Sequence, residues 1–236
     1  MNAKPPAVRY PDLDTLSREL AAGIAADLAS AIETRKLASL VVSGGRSPVK
    51  LFEHLRTLAI DWSRVCVALA DERWVDPLDS SSNERLVRDV LLKDAAAAAR
   101  VTGLKNGCAT PDLGAGAAWS ALNGVPRPFD VLVLGMGDDG HTASLFPDSP
   151  NLELALDETA AAGCIGMISP VAPTARLSLN LSALLDSRRI VMLITGESKW
   201  RTYIAAVQPG AVESMPVRAV LRQRRAPVEV VWSPGT

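Results

Sequence analysis

The sequence FDVLVLGMGDDGHTASLFP occupies residues 129–147 and contains the clearest buried strand of the chain. Its first seven residues are almost all apolar, which is typical of a strand that is covered on both faces. A glycine-rich turn follows at once and carries two carboxylates and His141. We therefore predict a buried strand whose carboxyl end presents polar side chains.

Short apolar runs of the same kind recur along the chain, at ASLVVS (38–43), VCVALAD (65–71), IGMIS (165–169), ARLSLNL (175–181), RIVMLIT (189–195) and VEVVW (228–232). Stretches with helical character lie between many of these runs, at 12–36, 47–58, 80–92, 113–122 and 196–207. This alternation predicts the α/β class, with a mostly parallel sheet covered on both sides and a few antiparallel strands in the second half. No linker interrupts the pattern, so we expect residues 1–236 to form a single domain.

Composition and charge exclude several classes of protein. The chain has 236 residues, of which 48% are hydrophobic, and its 25 basic and 26 acidic side chains leave a formal net charge of −1. This balance is unlike that of a disordered chain, and it lacks the basic surface that nucleic-acid binding requires. The first residues lack the apolar core of a secretory signal, and no uncharged apolar run of about 18 residues occurs. We expect a cytoplasmic protein that spans no membrane.

Three cysteines, Cys66, Cys108 and Cys164, lie far apart and lack the spacing of a metal site. We expect all three to be reduced thiols that are buried or half-buried. A disulfide or structural metal is not required, because a chain of this length can bury a large apolar core.

The segment VVSGGRSP (41–48) joins a predicted strand to a predicted helix through two glycines. Glycines let the backbone approach an anion closely, while Ser47 fits the helix cap and Pro48 fits the first helical position. The free N–H groups of a new helix would then face a phosphate, so the segment is a candidate phosphate-binding loop. An ordinary strand-to-helix turn is the alternative, and the pattern of a P-loop is absent.

The segment ALADERWVDP (68–77) ends a predicted strand on three consecutive charged residues, Asp71, Glu72 and Arg73. Ligands of open α/β sheets bind outside the carboxyl ends of the strands, so these side chains are candidates for a site in that crevice. A solvated turn is the alternative interpretation of the same three charges.

The glycines at 135, 137 and 140 form the pattern GxGxxG directly after the strand of residues 129–135. In a dinucleotide-binding fold this turn would face a pyrophosphate. We reject that interpretation, because the aspartates at 138 and 139 would place two negative charges there and the prolines at 147 and 150 leave only a short helix. The pattern also follows a strand deep in the chain rather than the first one.

The same loop holds His141 beside Asp139, and an imidazole next to a carboxylate is the usual general-base pair. A lone histidine is more often structural, but a glycine-rich loop at a strand end favours catalysis. The other histidine, His54, falls in a predicted helix and is interpreted as structural.

Two isolated cations are further candidates for the site. Arg176 follows Pro173 at the start of a predicted strand, and Lys199 lies in the first turn of the helix predicted at 196–207. A lysine in a first helical turn opposes the helix dipole, so an anionic partner is favoured there.

Longer stretches of the sequence resemble 6-phosphogluconolactonases, and the resemblance covers nearly the whole chain. It rests on SGGRSP (43–48), DERWVDPLDSSSNERLVRDVLL (71–92) and LGMGDDGHTASLFP (134–147), with weaker support from PTARLSLNLSAL (173–184) and TGESKW (195–200). It implies a Rossmann-like three-layer α/β/α sandwich, as in glucosamine-6-phosphate deaminase and ribose-5-phosphate isomerase. It also implies hydrolysis of 6-phospho-D-glucono-1,5-lactone to 6-phosphogluconate in the pentose phosphate pathway, without a metal or organic cofactor.

The resemblance also implies roles for particular residues. His141 matches the catalytic histidine of the family, Asp139 matches the carboxylate that orients it, and Arg73 matches an active-site arginine. Asp71 is a further catalytic candidate without an assigned role. The phosphate-holding elements of the family match Ser43, Gly44, Gly45, Ser47, Arg176 and Lys199. The chain departs from the family at Ser178 and Asn180, where threonines are common.

These roles lead to a hypothesis for the reaction. Neutral His141 would take a proton from water, which attacks the lactone carbonyl, and would later return that proton to the leaving ring oxygen. Arg73 or backbone N–H groups of residues 135–140 would hold the oxyanion.

Three alternatives are open. Aminosugar-phosphate deaminases share the fold, but they carry a tyrosine after the Asp-Glu pair and a glutamate shortly after the histidine segment, where this chain has Arg73-Trp74 and TASLFPDSP. A sugar-phosphate sensor without catalysis would need the phosphate loop but not His141. A metal site is also conceivable, although the resemblance implies none, and its ligands would be Asp71, Glu72, Asp138, Asp139 and His141. The sequence does not distinguish a monomer from a homodimer.

Overall fold

A computed structural model describes residues 5–169 and 174–235, and the apolar runs of the sequence form its strands. The described strands are β1 Ala7–Arg9, β2 Ala38–Val42, β3 Val65–Leu69, β4 Asp71–Arg73, β5 Arg100–Thr102, β6 Val131–Leu134, β7 Cys164–Met167, β8 Arg176–Leu179, β9 Ile190–Thr195 and β10 Val228–Ser233. The described α-helices are α1 Leu13–Arg35, α2 Val49–Leu55, α3 Asn83–Leu86, α4 Pro111–Ala121, α5 Leu152–Leu156, α6 Leu181–Leu184, α7 Glu197–Ala206 and α8 Val217–Arg222.

Seven strands form the main sheet, in the spatial order β1-β10-β9-β6-β2-β3-β5. All neighbours in this sheet are parallel, and the interior strand β2 is completely buried. Because helices cover both faces, the strands are apolar on both sides rather than alternating. The predicted α/β class and three-layer sandwich are confirmed.

Helix α1 shows how the sequence specifies a covering helix. The carboxylate of Asp12 caps it by accepting a hydrogen bond from the amide of Thr15 (2.7 Å), and Lys36 ends it in the left-handed conformation. Its apolar residues recur at helical spacing and are buried against the sheet, namely Leu16, Leu20, Ile24 and Leu28. Within the described ranges, no helix is both long and apolar enough to cross a lipid bilayer.

The order of the strands reverses beside β2. From β2 the chain continues outward through β3 to β5, whereas β6 lies on the other side of β2 and leads on to β9 and β10. A crevice forms where the connections diverge in this way, outside the carboxyl ends of the strands. The two loops that follow β2 and β6 therefore flank the same crevice, and these are the loops that carry SGGRSP and GMGDDGH.

A second sheet of three antiparallel strands, in the order β4-β8-β7, lies beside this crevice. Its formation confirms the antiparallel strands that were predicted for the second half of the chain, although β4 comes from the first half. Arg73 on β4 is directly opposite Arg176 on β8, so the sheet brings together two of the predicted site residues.

Some predicted elements differ from the observed ones. The helix predicted at 47–58 begins at Val49, and Ser47 does not cap it, because the Ser47 hydroxyl hydrogen bonds to the hydroxyl of Thr195 (3.2 Å) instead. The helix predicted at 80–92 is capped by Ser82, and it passes from α3 into a wider π-helical turn at Val87–Leu91. No local pattern predicts β1, β5 or α8, which are short and are stabilised by neighbouring elements.

The three cysteines are free, as expected. Cys66 is buried in β3, while Cys108 and Cys164 are half-buried. Burial raises the pKa of Cys164 to about 12, so that this thiol stays protonated at neutral pH.

Asp130 lies at the amino end of β6, where it connects β6 to β2, and replacing it tests the fold. Its buried carboxylate accepts hydrogen bonds from the backbone amide and hydroxyl of Ser39 and forms ion pairs with Arg35 and Arg188. We expect Asp130→Ala to lower the free energy of unfolding by about 1.5–3 kcal/mol, the usual cost of losing a hydrogen bond to a charged group. Urea denaturation measures this change.

Asp89→Ala is the matched control, because Asp89 forms an exposed ion pair with Arg85 within one helix. Such pairs contribute little, so the control should change the free energy of unfolding by less than about 0.5 kcal/mol. Equal losses in the two variants would contradict the role of Asp130.

Candidate active site

A cavity of about 420 Å³ lies at the carboxyl ends of β2, β6 and β9. Nine of the ten residues predicted for the site line it, and they are Ser43, Gly44, Gly45, Ser47, Asp71, Arg73, His141, Arg176 and Lys199. The tenth, Asp139, does not line the cavity but contacts His141. Residues from distant parts of the sequence thus converge on one site. Pro173, which precedes the Arg176 strand, lies outside the described residues.

His141 is held by Asp139 through two hydrogen bonds. The Nδ1 atom of the ring lies 2.6 Å from Oδ1 of Asp139, and the backbone amide of His141 donates to the same oxygen at 3.0 Å. A carboxylate only accepts, so Nδ1 must carry the proton, and Nε2 of the neutral ring is left with its lone pair. Among the described residues, Nε2 has no hydrogen-bond partner, and the side chain remains 30% exposed.

The carboxylate of Asp139 stays charged because of this contact. Burial raises its pKa, but the hydrogen bonds from the ring and the backbone amide of His141 outweigh burial, so the pKa of Asp139 lies below its ordinary value of 3.8. Asp139 is therefore ionised at neutral pH and can stabilise a proton on the ring.

The position of the ring depends on space within its own loop. A Cβ atom at Gly137 would lie 2.2 Å from Nδ1 of His141 and 2.5 Å from Oδ1 of Asp139, so only glycine fits there. Gly140 adopts a φ of +81°, which lets the chain turn back so that the Gly137 amide can donate to the His141 carbonyl (2.9 Å). On its other side the ring packs against Phe146, with 4.5 Å between ring centroids.

The GxGxxG pattern thus serves a purpose other than nucleotide binding. The loop folds back on itself around His141, and the next helix, α5, has five residues and begins only at Leu152. A dinucleotide site requires a helix that starts directly at the glycine turn. The structure therefore agrees with the rejection of that interpretation.

The loop after β2 exposes backbone donors to the cavity. The Ser43 amide donates to the carbonyl of Val133 (2.9 Å), but the amides of residues 44–47 donate to no backbone carbonyl among the described residues. Gly45 has a φ of +94°, and a Cβ atom at Gly44 would lie 1.8 Å from Oδ1 of Asn83. Successive free amides in such a turn form a concave binding site for an anion.

Four cationic side chains also line the cavity, and the structure arranges them in two pairs. Arg46 and Lys199 are close enough for the arginine to repel the lysine, and Arg73 and Arg176 repel each other across the small sheet. Burial lowers the pKa of Lys199, Arg46 lowers it further, and Asp138 partly opposes both. Burial likewise lowers the pKa of Arg176.

Within residues 5–169 and 174–235, none of these four cations forms an ion pair with a carboxylate at 4.0 Å or less. The Nε atom of Arg176 is buried and has no hydrogen-bond partner. Like charges that repel one another destabilise the empty cavity, and an anion that enters it relieves this repulsion. The site is therefore suited to a ligand with at least one strongly charged anionic group.

The two acidic residues that follow β3 have different surroundings. Glu72 is buried and accepts hydrogen bonds from the amides of Arg73, Asn83 and Glu84, so it caps α3 and does not line the cavity. Burial raises its pKa, and the hydrogen bonds limit this shift. Asp71 does line the cavity and accepts a hydrogen bond from the hydroxyl of Ser144 (2.6 Å).

The described residues contain no cluster of three or more histidine, cysteine or carboxylate side chains that is suited to hold a metal ion. Of the five ligands considered from the sequence, Glu72 does not line the cavity and accepts hydrogen bonds at α3, and Asp139 is bound to His141. The metal-site alternative therefore lacks structural support.

Two of the backbone amides considered for the oxyanion are already used. The amide of Gly137 donates to the carbonyl of His141, and the amide of Gly140 donates to the carbonyl of Gly137. The guanidinium of Arg73 lines the cavity, where it also donates to the carbonyl of Ser81. Arg73 is thus better placed for that role than either glycine amide.

Sequence reasoning missed four polar residues of the cavity: Arg46, Asn83, Ser144 and Ser169. The first three lie inside the stretches that carry the family resemblance, and Arg46 is the basic residue of the SGGRSP loop itself. Ser169 has no such signal, because it lies outside those stretches, two residues beyond β7.

Together, the parallel sheet, the cationic cavity and the histidine–carboxylate pair define an α/β protein with a site suited to a small anionic molecule beside a potential general base. A family model described as glucosamine-6-phosphate isomerases/6-phosphogluconolactonase matches residues 11–232. The chain belongs to this family.

Individual relatives show which members of this family the chain resembles. The 6-phosphogluconolactonase of Pseudomonas aeruginosa is 47% identical over 92% of this chain and 90% of that protein, and the one from Rhizobium meliloti is 43% identical over 93% and 94%. The crystal structure of a 6-phosphogluconolactonase from Shewanella baltica superimposes with a TM-score of 0.95, at 46% identity over 99% of both chains. A monomeric glucosamine-6-phosphate deaminase shares the fold, with a TM-score of 0.77 at 18% identity over 97% of both chains.

The space at Gly137 provides a test of the geometry around His141. We expect Gly137→Ala to displace the ring, because the new methyl group would lie well inside contact distance of Nδ1. The chain has two histidines, so the imidazole NMR signals of His141 and His54 can be followed separately. The His141 signal should shift, while that of His54, which pairs with Asp14 on the surface, should not.

Gly124→Ala is the matched control, since a Cβ atom there would meet no other atom within 4 Å. It should leave both imidazole signals in place. An unchanged His141 signal in Gly137→Ala would show that the loop accommodates the methyl group without moving the ring.

Proposed function

We propose that this protein hydrolyses 6-phospho-D-glucono-1,5-lactone to 6-phosphogluconate, with His141 as the general base that activates water. Family membership and the high identity to 6-phosphogluconolactonases support the reaction. The observation that carries the role of His141 is its fixed tautomer, in which Asp139 binds Nδ1 and leaves Nε2 free beside the cavity.

The reaction can be followed atom by atom. Nε2 of His141 takes a proton from water, and the water oxygen bonds to the lactone carbonyl carbon while the carbonyl electrons move onto oxygen. The charged carboxylate of Asp139 stabilises the imidazolium that forms. When the intermediate collapses, the bond from this carbon to the ring oxygen breaks, and the imidazolium returns its proton to that oxygen.

The negative charge on the intermediate requires a donor that is already in place. Arg73 is the candidate, because its guanidinium lines the cavity and the short strand β4 fixes its backbone. A donor aimed at a developing oxyanion contributes more than one that must reorganise during the reaction. Asp71, held by Ser144 and Asn83, lies next to Arg73 in the chain and supports this wall of the cavity.

The phosphate of the substrate is assigned to the loop after β2 and its neighbouring cations. Ser43, Gly44, Gly45 and Ser47 supply the loop, and Arg176 and Lys199 supply charge. Arg46, which the sequence analysis did not include, adds a third cation on this side. Binding the distant phosphate positions the carbonyl beside His141, which lowers the entropic part of the barrier.

The deaminase alternative has less support. Those enzymes carry a glutamate shortly after the histidine segment, whereas the described residues that line this cavity include no glutamate. The non-catalytic sensor also has less support, because a sensor does not require a histidine whose tautomer is fixed at the cavity.

We also infer that residues 1–236 form one domain, since the Leu179 amide joins the small sheet to the Ala70 carbonyl (2.9 Å) at the end of β3.

We expect His141→Ala to lower kcat for the phosphorylated lactone by about 10²–10⁴-fold, because a general base contributes a factor of that size. KM should stay near its normal value, since the phosphate contacts are unchanged. Steady-state kinetics on freshly prepared lactone, corrected for spontaneous hydrolysis, measures both constants.

His54→Ala is the control, because His54 hydrogen bonds to Asp14 on the surface and does not line the cavity. It should leave kcat unchanged. If His141→Ala retained normal kcat, another group would have to be the base.

The phosphate assignment makes a separate prediction about Arg176 and Lys199. Replacing either residue with alanine should lower kcat/KM for the phosphorylated lactone by about 10–150-fold, which corresponds to the loss of a charge-assisted hydrogen bond of about 1.5–3 kcal/mol. Hydrolysis of glucono-1,5-lactone, which lacks the phosphate, should hardly change. The ratio of kcat/KM for the two lactones is the quantity to measure.

Arg201→Ala is the matched control, since Arg201 lies on the same helix as Lys199 but is exposed outside the cavity. Its kcat/KM ratio should equal that of the unmodified protein. Equal losses on both lactones in the Arg176 and Lys199 variants would contradict their assignment to the phosphate.

A further inference from the structure

Polar atoms without partners are concentrated at the cavity. Seven buried side-chain nitrogen or oxygen atoms in the described parts of the chain lack a hydrogen-bond partner, and four of them belong to residues that line the cavity. These four atoms are Ser43 Oγ, Asn83 Oδ1, Ser169 Oγ and Arg176 Nε. An unpaired buried polar atom destabilises a fold, so such a concentration indicates that a ligand supplies the missing partners. Ser43 and Arg176 are already assigned to the phosphate, which leaves Asn83 and Ser169 unexplained.

Ser169 lies two residues beyond β7 and lines the cavity. Met167, at the end of β7, is directly opposite Arg176 on β8, so their side chains lie on the same face. Side chains of an extended chain alternate between faces, and Ile168 is 58% exposed whereas Ser169 is 6% exposed. Ser169 therefore lies on the face that carries Arg176, with an unpartnered hydroxyl at the cavity.

Asn83 shows which kind of ligand group this part of the cavity accepts. Its Nδ2 atom donates to the backbone carbonyl of Asp71 (2.8 Å), which fixes the orientation of the amide. Its Oδ1 atom is therefore an acceptor at the cavity wall, close to Gly44. A phosphate oxygen cannot be its partner, because both atoms would be acceptors. A sugar hydroxyl can donate to Oδ1, and it can also pair with the Ser169 hydroxyl in either direction.

We propose that Ser169 determines specificity by hydrogen bonding to a hydroxyl group of the bound sugar phosphate. This inference rests on the proposed function, because it concerns the same ligand, but it assigns a residue outside the catalytic pair and the phosphate loop. Ser169 distinguishes a polyhydroxylated sugar chain from a phosphorylated molecule that lacks the matching hydroxyl. Removing a hydroxyl from either partner breaks the same hydrogen bond, so the two losses should not add.

The experiment measures binding of 6-phosphogluconate, of its 2-, 3-, 4- and 5-deoxy analogues and of inorganic phosphate by isothermal titration calorimetry. Ser169→Ala should weaken binding of 6-phosphogluconate by about 2–12-fold, the usual range for one neutral hydrogen bond. For one deoxy analogue the same substitution should have no effect, and that analogue identifies the hydroxyl. Binding of inorganic phosphate should not change.

Ser17→Ala is the matched control, because the Ser17 hydroxyl is also buried and unpartnered but lies on α1, away from the cavity. It should leave every affinity unchanged. Neither variant should unfold at a lower temperature than the unmodified protein, since each substitution removes an unpaired polar atom.

The proposal is overturned if Ser169→Ala weakens all the ligands equally, if it weakens none, or if Ser17→Ala has the same effect. These results are independent of turnover, which is measured separately with the phosphorylated lactone. Coupling between Ser169 and one hydroxyl in a protein that does not hydrolyse the lactone would sustain this inference and overturn the proposed function.

Discussion

The parallel pairing of β2 with β6 is the constraint on which the site depends. Leu40, Val41 and Val42 are in register with residues 131–133, and the Ser43 amide continues the ladder to the carbonyl of Val133. The loop after β2 offers free amides, and the loop after β6 carries His141. Because parallel strands end at the same edge of a sheet, this pairing places an anion-binding loop and a candidate base side by side. A shift in register would separate them.

Electrostatics gives the two ends of the cavity different roles. Arg46 repels Lys199 and Arg73 repels Arg176, which opposes folding, and none of these four cations has a carboxylate partner among the described residues. The carboxylate of Asp139, in contrast, is committed to His141. Binding an anion relieves the repulsion and fixes the substrate, while the paired imidazole keeps one nitrogen free for proton transfer.

The sheets that build this site are stabilised by a buried apolar core and by paired polar groups, whereas the cavity itself contains unpaired polar atoms. The main sheet forms the centre of a continuous buried core. At the end of the sheet opposite the cavity, the Asp130 carboxylate accepts hydrogen bonds from Ser39. At the cavity, by contrast, four buried polar atoms have no partner within the described part of the chain. Unsatisfied groups in an otherwise well-satisfied fold are expected where a ligand completes the hydrogen bonds.

The sequence by itself determined the α/β class, the main buried strands and nearly all the candidate residues, because apolar runs and glycine turns are local signals. It did not determine where the helix after SGGRSP begins, since the Ser47 hydroxyl bonds to Thr195, far away in the chain. Nor did it determine the short strands β1 and β5, which form only against their neighbours. Only the tertiary structure placed Ser169 at the cavity and committed Glu72 to a helix end, because both outcomes depend on contacts between separate elements rather than on the local sequence pattern.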